Sequence, residues 1–196
     1  MTLPKKGTKY RRGFKKWSDD KAIELRKELG LVGSSPLCAF DLSKYLNIPI
    51  FEPKEVNGMS EQHLDKLLNS GSKHWSAATI PINNKEYIII HNPRHSSSRQ
   101  QSNLMHELAH IICEHKIPDD KKINGLSGFL RNHDENQENE AEWLGACLQL
   151  PRPALIWALK KNMSLEQISI HFNASKEMVR YRINITGVKK QLSYLR

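Results

Sequence analysis

The chain has 196 residues, of which 38% are hydrophobic and 26% are charged. This balance is typical of one compact globular unit, and it excludes a large multidomain protein, a fibrous protein and a disordered one. No apolar run approaches the roughly 18 residues that a membrane helix needs. The basic N-terminus lacks the apolar stretch of a signal peptide, so we expect a cytoplasmic protein that makes no membrane contact.

The positive charge is concentrated at the two ends of the chain. The formal net charge is +9, and residues 1–17 carry seven Lys and Arg with no acidic residue. Residues 152–196 are also basic, whereas the middle of the chain is acidic. Basic ends suit a nucleic-acid partner, with Tyr10, Phe14 and Trp17 as groups that could stack on bases. A solvated tail at 1–17 explains the same charge, so both interpretations stay open.

Helix and strand signals alternate through the first half of the chain. Capping and stop residues predict helices over 19–29, over 36–46 and over 60–71. The run IPIFEP, from Ile48, predicts a short strand. Two β-rich runs, SAATIPI and EYIII, are separated by residues 83–85 and predict an antiparallel hairpin.

The second half of the chain is mainly helical by its pattern. Dense apolar residues over 101–115 predict a buried helix, residues 118–136 predict a long loop, and a second helical pattern covers 137–150. Pro151 and Pro153 bar a direct continuation of that helix. Helices combined with a small antiparallel sheet predict an α+β fold.

Residues 106–110 read HELAH, an HExxH motif inside the predicted helix over 101–115. Positions i and i+4 of a helix share one face, so His106 and His110 can bind one zinc ion. Glu107 lies beside them and is predicted to act as the general base, and then the general acid, in hydrolysis of a peptide bond. The alternative is a buried helix with two hydrogen-bonded histidines. The apolar neighbours favour the metal site, because unpaired polar groups are costly in a core.

A third metal ligand is expected from the following helix, in the sequence ENEAEWLGACLQLP. Glu138 and Glu142 share a face with the small residues Ala141 and Gly145, which allow two helices to approach closely, whereas Glu140 points to the far side. We therefore predict Glu138 as the third ligand and Glu142 as the acceptor for the outer N–H of a ligand histidine. The alternative is that this acidic run is only a solvated helix start.

The HELAH helix, its preceding hairpin and the later ENEAEWLGACLQLP run together resemble the ImmA/IrrE family of metallopeptidases. That family shows an HE-x-G/A-H helix and a later E-x-E-A-N-x-F-A-x-x-L-L-M-P run, and the likeness extends from about Lys21 to Pro151. This chain departs from the pattern at Glu142, where Asn is common, and at Leu144, where Phe is common. The resemblance implies a gluzincin-like (zincin-like) fold and cleavage of a DNA-binding transcriptional repressor.

The C-terminal segment predicts two helices joined by a turn. Ser164 and Gln167 form a capping box, Asn173 supplies the turn and Ser175 can begin the second helix. We accordingly divide the chain into a basic tail (1–17), a zinc metallopeptidase domain (18–155) and a helix-turn-helix-like lobe (156–196).

This lobe has two interpretations. A DNA-reading second helix would use Lys176, Arg180 and Arg182. Alternatively, the lobe packs on the peptidase domain and helps to hold its protein substrate.

Weaker signals lie around the motif. The run EYIIIHN could be an edge strand that pairs with an extended peptide, although a central strand would have the same sequence. Cys113 and Cys147 are expected to pack as small apolar groups. Further residues could stabilise an oxyanion or contact substrate, although each alone is better explained as an ordinary surface residue: His91, Arg94, His95, His115 and His133.

The leading hypothesis is a zinc-dependent endopeptidase that cleaves a protein substrate, the repressor implied by the resemblance. One alternative is a DNA-binding regulator with a vestigial metal site, favoured by the basic ends. Another is an interaction protein of a toxin–antitoxin or phage module, in which the metal is structural.

Overall fold

The computed structural model describes residues 9–83, 86–115 and 134–193. The described residues form helices and a small three-stranded sheet, which confirms the predicted α+β class. Within the described residues, no helix is both long enough and apolar enough to cross a membrane. The helices are α1 (Phe14–Glu28), α2 (Ala39–Tyr45), α3 (Glu61–Asp65), α4 (Ser97–Ile112), α5 (Glu135–Gln149), α6 (Arg152–Lys160), α7 (Leu165–His171), α8 (Lys176–Thr186) and α9 (Val188–Ser193).

The sheet is mixed rather than purely antiparallel. Strands β2 (Ala77–Pro81) and β3 (Tyr87–His91) form the predicted antiparallel hairpin. The short strand β1 (Ile50–Phe51) pairs with β3 in parallel, so the strand order is β1-β3-β2. The run EYIIIHN is therefore the central strand, and β2 lies at an edge. The two-residue partner of β3 comes from far along the chain, which is why the sequence left this choice open.

Helix α1 begins at Phe14, five residues before the predicted start, and follows Gly13 in the left-handed conformation (φ 81°). Phe14 is buried, and its ring stacks on Trp17 at 5.4 Å between centroids. Tyr10 contacts Trp143 of α5 edge-on at 5.3 Å. These aromatic side chains pack against the core, so the part of the basic tail from Tyr10 onward belongs to the fold instead of offering its rings to bases.

The two central helices agree with the sequence patterns within a few residues. Helix α4 begins at Ser97, four residues before the predicted start, and α5 begins at Glu135. The long loop predicted over 118–136 lies almost wholly outside the described residues. After α5 ends, α6 begins as a separate helix with Pro153 in its first turn, where the missing N–H costs nothing.

Helices α4 and α5 pack against each other in the centre of the main core. That core also includes residues of α1, α2 and β3. A Cβ atom built on Gly145 of α5 would lie 3.1 Å from the backbone nitrogen of His106 and 3.1 Å from the carbonyl carbon of Met105. Ala141, one turn earlier in α5, is fully buried. The two helices therefore approach as closely as the predicted small residues permit.

A second hydrophobic cluster joins α6, α7, α8 and α9. Its buried residues include Leu155, Ile168, Phe172 and Val179. The predicted capping box of Ser164 and Gln167 is present at the start of α7. The predicted division of the chain after residue 155 falls inside α6.

Two buried arginines hold the C-terminal end of α5. Arg26 of α1 donates to the carbonyl oxygen of Leu148 at 2.8 Å, and Arg182 of α8 donates to that of Leu150 at 3.0 Å. Carbonyl groups in the last turn of a helix have no partner within the helix, and cations there are favoured by its dipole. The α5 helix is thus fixed at this end by both the first helix and the C-terminal helices.

We expect Gly145→Val to destabilise the fold by about 1–3 kcal/mol, because the new side chain would press on the α4 backbone, which cannot move aside as a side chain would. The measurement is the free energy of unfolding in urea. The matched control is Gly33→Val, where an added Cβ meets only the end of the Ile23 side chain. Equal stability of the Gly145 and Gly33 variants would contradict this account.

Candidate metal centre

Helix α4 brings the two histidines of the motif together. His106 and His110 lie one turn apart, and their Nε2 atoms are 3.1 Å from each other. The two rings are nearly perpendicular, with an angle of 77° between their planes. Both Nε2 atoms therefore face one point in space.

Glu138, in the first turn of α5, directs its carboxylate to the same point. Its Oε2 lies 3.4 Å from His106 Nε2, and its Oε1 lies 3.4 Å from His110 Nε2. The structure thus brings together the three residues that the sequence predicted as ligands. All three side chains are partly exposed, so the point that they surround is open to solvent.

The spacing of these donor atoms fits a tetrahedral metal ion. Ligand bonds of about 2.0–2.1 Å at tetrahedral angles place neighbouring donor atoms about 3.3 Å apart. The two Nε2 atoms are 3.1 Å apart, and each lies 3.4 Å from a different oxygen of the Glu138 carboxylate. Two imidazole nitrogens and one carboxylate also form a common donor set for zinc, one that leaves a fourth position open. The residues present therefore fit a divalent metal ion.

Glu107 is buried beside this group, with 4% of its surface exposed. Its Oε2 accepts hydrogen bonds from the hydroxyl of Thr79 at 2.7 Å and from the backbone N–H of Thr79 at 3.1 Å. Thr79 lies on the edge strand β2, so the predicted general base is fixed against that strand. The sequence did not indicate this contact, because Thr79 is 28 residues away.

His115 follows α4, and its ring lies against the side of the His110 ring that faces away from Glu138. Its Nδ1 lies 3.0 Å from Nδ1 of His110, and its Nε2 lies 3.4 Å from Oε2 of Glu140. Burial, together with the nearby His110 and Arg11, lowers the pKa of His115 to about 4, so the ring is neutral near pH 7. This placement differs from the predicted contact of His115 with an oxyanion or substrate.

The environments of Glu140 and Glu142 are the reverse of those predicted from the sequence. Glu140 was predicted to point away from the site, yet it is buried against His115 and Arg11. Glu142 is exposed. Burial raises the pKa of Tyr10 and of Tyr181, and the negative charge of Glu142 adds to both increases. His115, and not Glu142, therefore lies beside Nδ1 of His110, which differs from the predicted placement of Glu142 against a histidine of the motif.

Both cysteines on the two helices are buried, as predicted. Burial raises the pKa of Cys113 and of Cys147 to about 12, so both thiols are protonated at neutral pH. His91 is buried at the end of β3, and His95 lies between the side chains of Asn92 and Asn103. Arg94 donates to the backbone oxygen of Leu68, and His133 lies outside the described residues.

The three basic residues predicted to contact DNA or substrate do not form one surface. Arg182 is fully buried and contacts Asp19 of α1 at 3.3 Å, so its predicted external contact is wrong. Lys176 is exposed but pairs with Glu166 at 2.6 Å. Arg180 is exposed. Arginine side chains are rarely buried, so the residue type offered no reason to expect Arg182 to face inward.

Two histidines of an HExxH helix facing a glutamate of a second helix, beside a small sheet, form the donor arrangement of the His₂Glu metallopeptidases. In agreement, the model of peptidase family M78, described as the IrrE N-terminal-like domain, matches residues 44–184. This match covers more than half of the chain, so the protein belongs to this peptidase family, as its resemblance to ImmA/IrrE proteins indicated. Family membership supports a metallopeptidase activity and a protein substrate. A search of the curated proteins finds no match.

We expect Glu138→Ala to weaken zinc binding by more than the roughly 10- to 100-fold that loss of a supporting group costs, because it removes one of three donors. The measurement is zinc affinity in competition with a chromophoric chelator. Glu135→Ala, an exposed residue in the same turn of α5, is the control and should bind as the parent does. Unchanged affinity in Glu138→Ala would remove this residue from the site.

Proposed function

We propose that the protein is a zinc-dependent endopeptidase whose metal is held by His106, His110 and Glu138. The observation that carries this proposal is the convergence of two imidazole Nε2 atoms, 3.1 Å apart, on one carboxylate, each Nε2 lying 3.4 Å from a different oxygen of Glu138, in a chain of a peptidase family. Zinc is the metal that best suits two imidazoles and a carboxylate in a site with an open position. A bound zinc ion supplies Lewis-acid chemistry, which activates a water molecule and polarises the scissile carbonyl group.

Glu107 is the proton carrier in this mechanism. Its carboxylate takes a proton from the attacking water and delivers it to the nitrogen of the leaving amine. The two hydrogen bonds from Thr79 hold one carboxylate oxygen, Oε2, in a fixed position. Thr79 is thus a positioning residue for the carboxylate that accepts the proton.

The edge strand β2 provides a place for an extended peptide. Ser76 and Ile82 pair with the β3 side of the hairpin, so the backbone groups of Ala77 and Thr79 point away from β3. Because the outward N–H of Thr79 bonds Glu107, this outer edge runs directly beside the proposed base. A substrate strand added to β2 would therefore pass the site in extended form.

The proposed substrate is a DNA-binding transcriptional repressor, as the resemblance to ImmA/IrrE proteins implies. The compartment that we propose is the cytoplasm. The three cysteines are unpaired, which suits a reducing compartment.

The alternative of a DNA-binding regulator has less support. Of its three expected contact residues, Arg182 is buried and Lys176 is paired with Glu166. Tyr10 and Phe14, expected to stack on bases, pack against the core. The further alternative is an interaction protein with a structural metal. It would have the same metal site as the proposed enzyme but would cleave no peptide bond.

We expect Glu107→Gln to lower the rate of cleavage by at least about 10²-fold, because the amide cannot accept the proton from water. Zinc content should be unchanged. The assay is mass spectrometry of products after incubation with a purified helix-turn-helix repressor protein from the same organism, and Glu135→Gln is the control for loss of a negative charge. Cleavage by Glu107→Gln at the parent rate would reject the mechanism, and absence of cleavage by the parent would reject this substrate.

Thr79→Val removes the hydroxyl donor to Glu107 while preserving the size of the side chain. A hydrogen bond to a charged group contributes about 1.5–3 kcal/mol, so we expect kcat to fall by roughly 10- to 100-fold with zinc affinity unchanged. Thr79→Ser retains the donor and should recover most of the activity. If the Val and Ser variants have the same kcat, the hydroxyl has no role in positioning Glu107.

A further inference from the structure

A second group of metal-binding side chains lies directly behind the first. Cys113, His115 and Glu140 each offer a donor atom, and these atoms lie within 4.8 Å of one another. His115 also contacts His110, so the two groups touch. The second group could hold another metal ion or could support the first site.

The guanidinium group of Arg11 already places a positive charge beside Glu140 in this second group. The backbone nitrogen of Arg11 and its side-chain Nε both lie 3.4 Å from Oε1 of Glu140. Burial is the main cause of the raised pKa of the Cys113 thiol, and the positive charge of Arg11 acts against that rise. A divalent ion between these donors would have to compete with a fixed cation for the same carboxylate, which disfavours a second metal site.

The hydrogen bonds have one consistent direction. If Nε2 of His110 offers its lone pair to a metal, Nδ1 of that ring carries the proton. Nδ1 of His115, 3.0 Å away, must then be the acceptor, which places the proton of His115 on Nε2, facing Glu140. Glu140 accepts this bond while Arg11 balances its charge. Each of the two imidazole rings thus has a partner of the right kind.

We propose that His115 is a positioning residue, anchored by Glu140 and Arg11, that fixes the tautomer and orientation of His110 and so raises the metal affinity of the first site. The second group binds no metal ion of its own. This inference rests on the metal site of the proposed function. It also assigns a role to the segment before α1, because Arg11 lies in that segment and reaches α5.

The test compares zinc affinity, metal content and cobalt spectra of the full chain and its variants. His115→Leu should bind zinc about 10- to 100-fold more weakly than the parent. The visible absorption of bound Co²⁺ should shift, because the orientation of His110 changes. Elemental analysis should give one ion per chain in both proteins.

Two further variants separate positioning from loss of structure. His115→Asn keeps an acceptor oxygen near the position of Nδ1 and should recover most of the zinc affinity, whereas Glu140→Gln removes the charged anchor and should weaken binding several-fold. His171→Leu is the matched control, a partly buried histidine packed against Trp157 in the second cluster, and it should leave zinc affinity and the cobalt spectrum unchanged.

Each outcome decides between the proposals. Parent-like zinc affinity in His115→Leu, or equal losses in His115→Leu and His115→Asn, would overturn the positioning role while leaving the metal site intact. Two ions per chain in the parent and one in Glu140→Gln would show that the second group is itself a metal site. A parent that binds no zinc would reject the proposed function, and with it this inference.

Discussion

The close approach of α4 and α5 is the constraint on which the rest of the structure depends. His106 and His110 lie on one helix and Glu138 on the other, so the distance between the helices sets the distances between the donor atoms. Gly145 permits this approach, since its α-carbon faces the backbone of Met105 and His106 with no room for a larger side chain. A metal site built across two helices is only as well defined as the packing between them.

The position of α5 is in turn set from both of its ends. Arg26 and Arg182, from the first helix and from the C-terminal helices, bind the carbonyl groups at its C-terminal end. Near its N-terminal end, Glu140 contacts Arg11 and His115. Arg11 and Arg182, which lie in the two basic end segments, thus contact α5 or the residue that follows it. Part of the positive charge of these segments therefore serves contacts within the protein.

The sheet contributes the remaining geometry. Its edge strand β2 binds Glu107 through Thr79, so the outer edge of the sheet lies beside the proposed base. The proposed base, the proposed ligands and the strand edge proposed to bind an extended peptide therefore lie together, on α4, α5 and β2. Burial of Glu107 between these elements restricts the rotamers that its side chain can adopt, as the proposed proton transfer through one geometry requires.

The sequence by itself determined the α+β class, the hairpin and both central helices, and it placed His106 and His110 on one helix face, because helical periodicity and the HExxH spacing are local properties. Tertiary structure alone decided that β3 is central, that His115 and Glu140 rather than Glu142 stand behind His110, and that Arg182 is buried. These features depend on contacts between segments distant in sequence, as in the pair of Arg11 with Glu140. A residue's face on its own helix is periodic and readable, whereas the element that covers that face is set by how the whole chain packs.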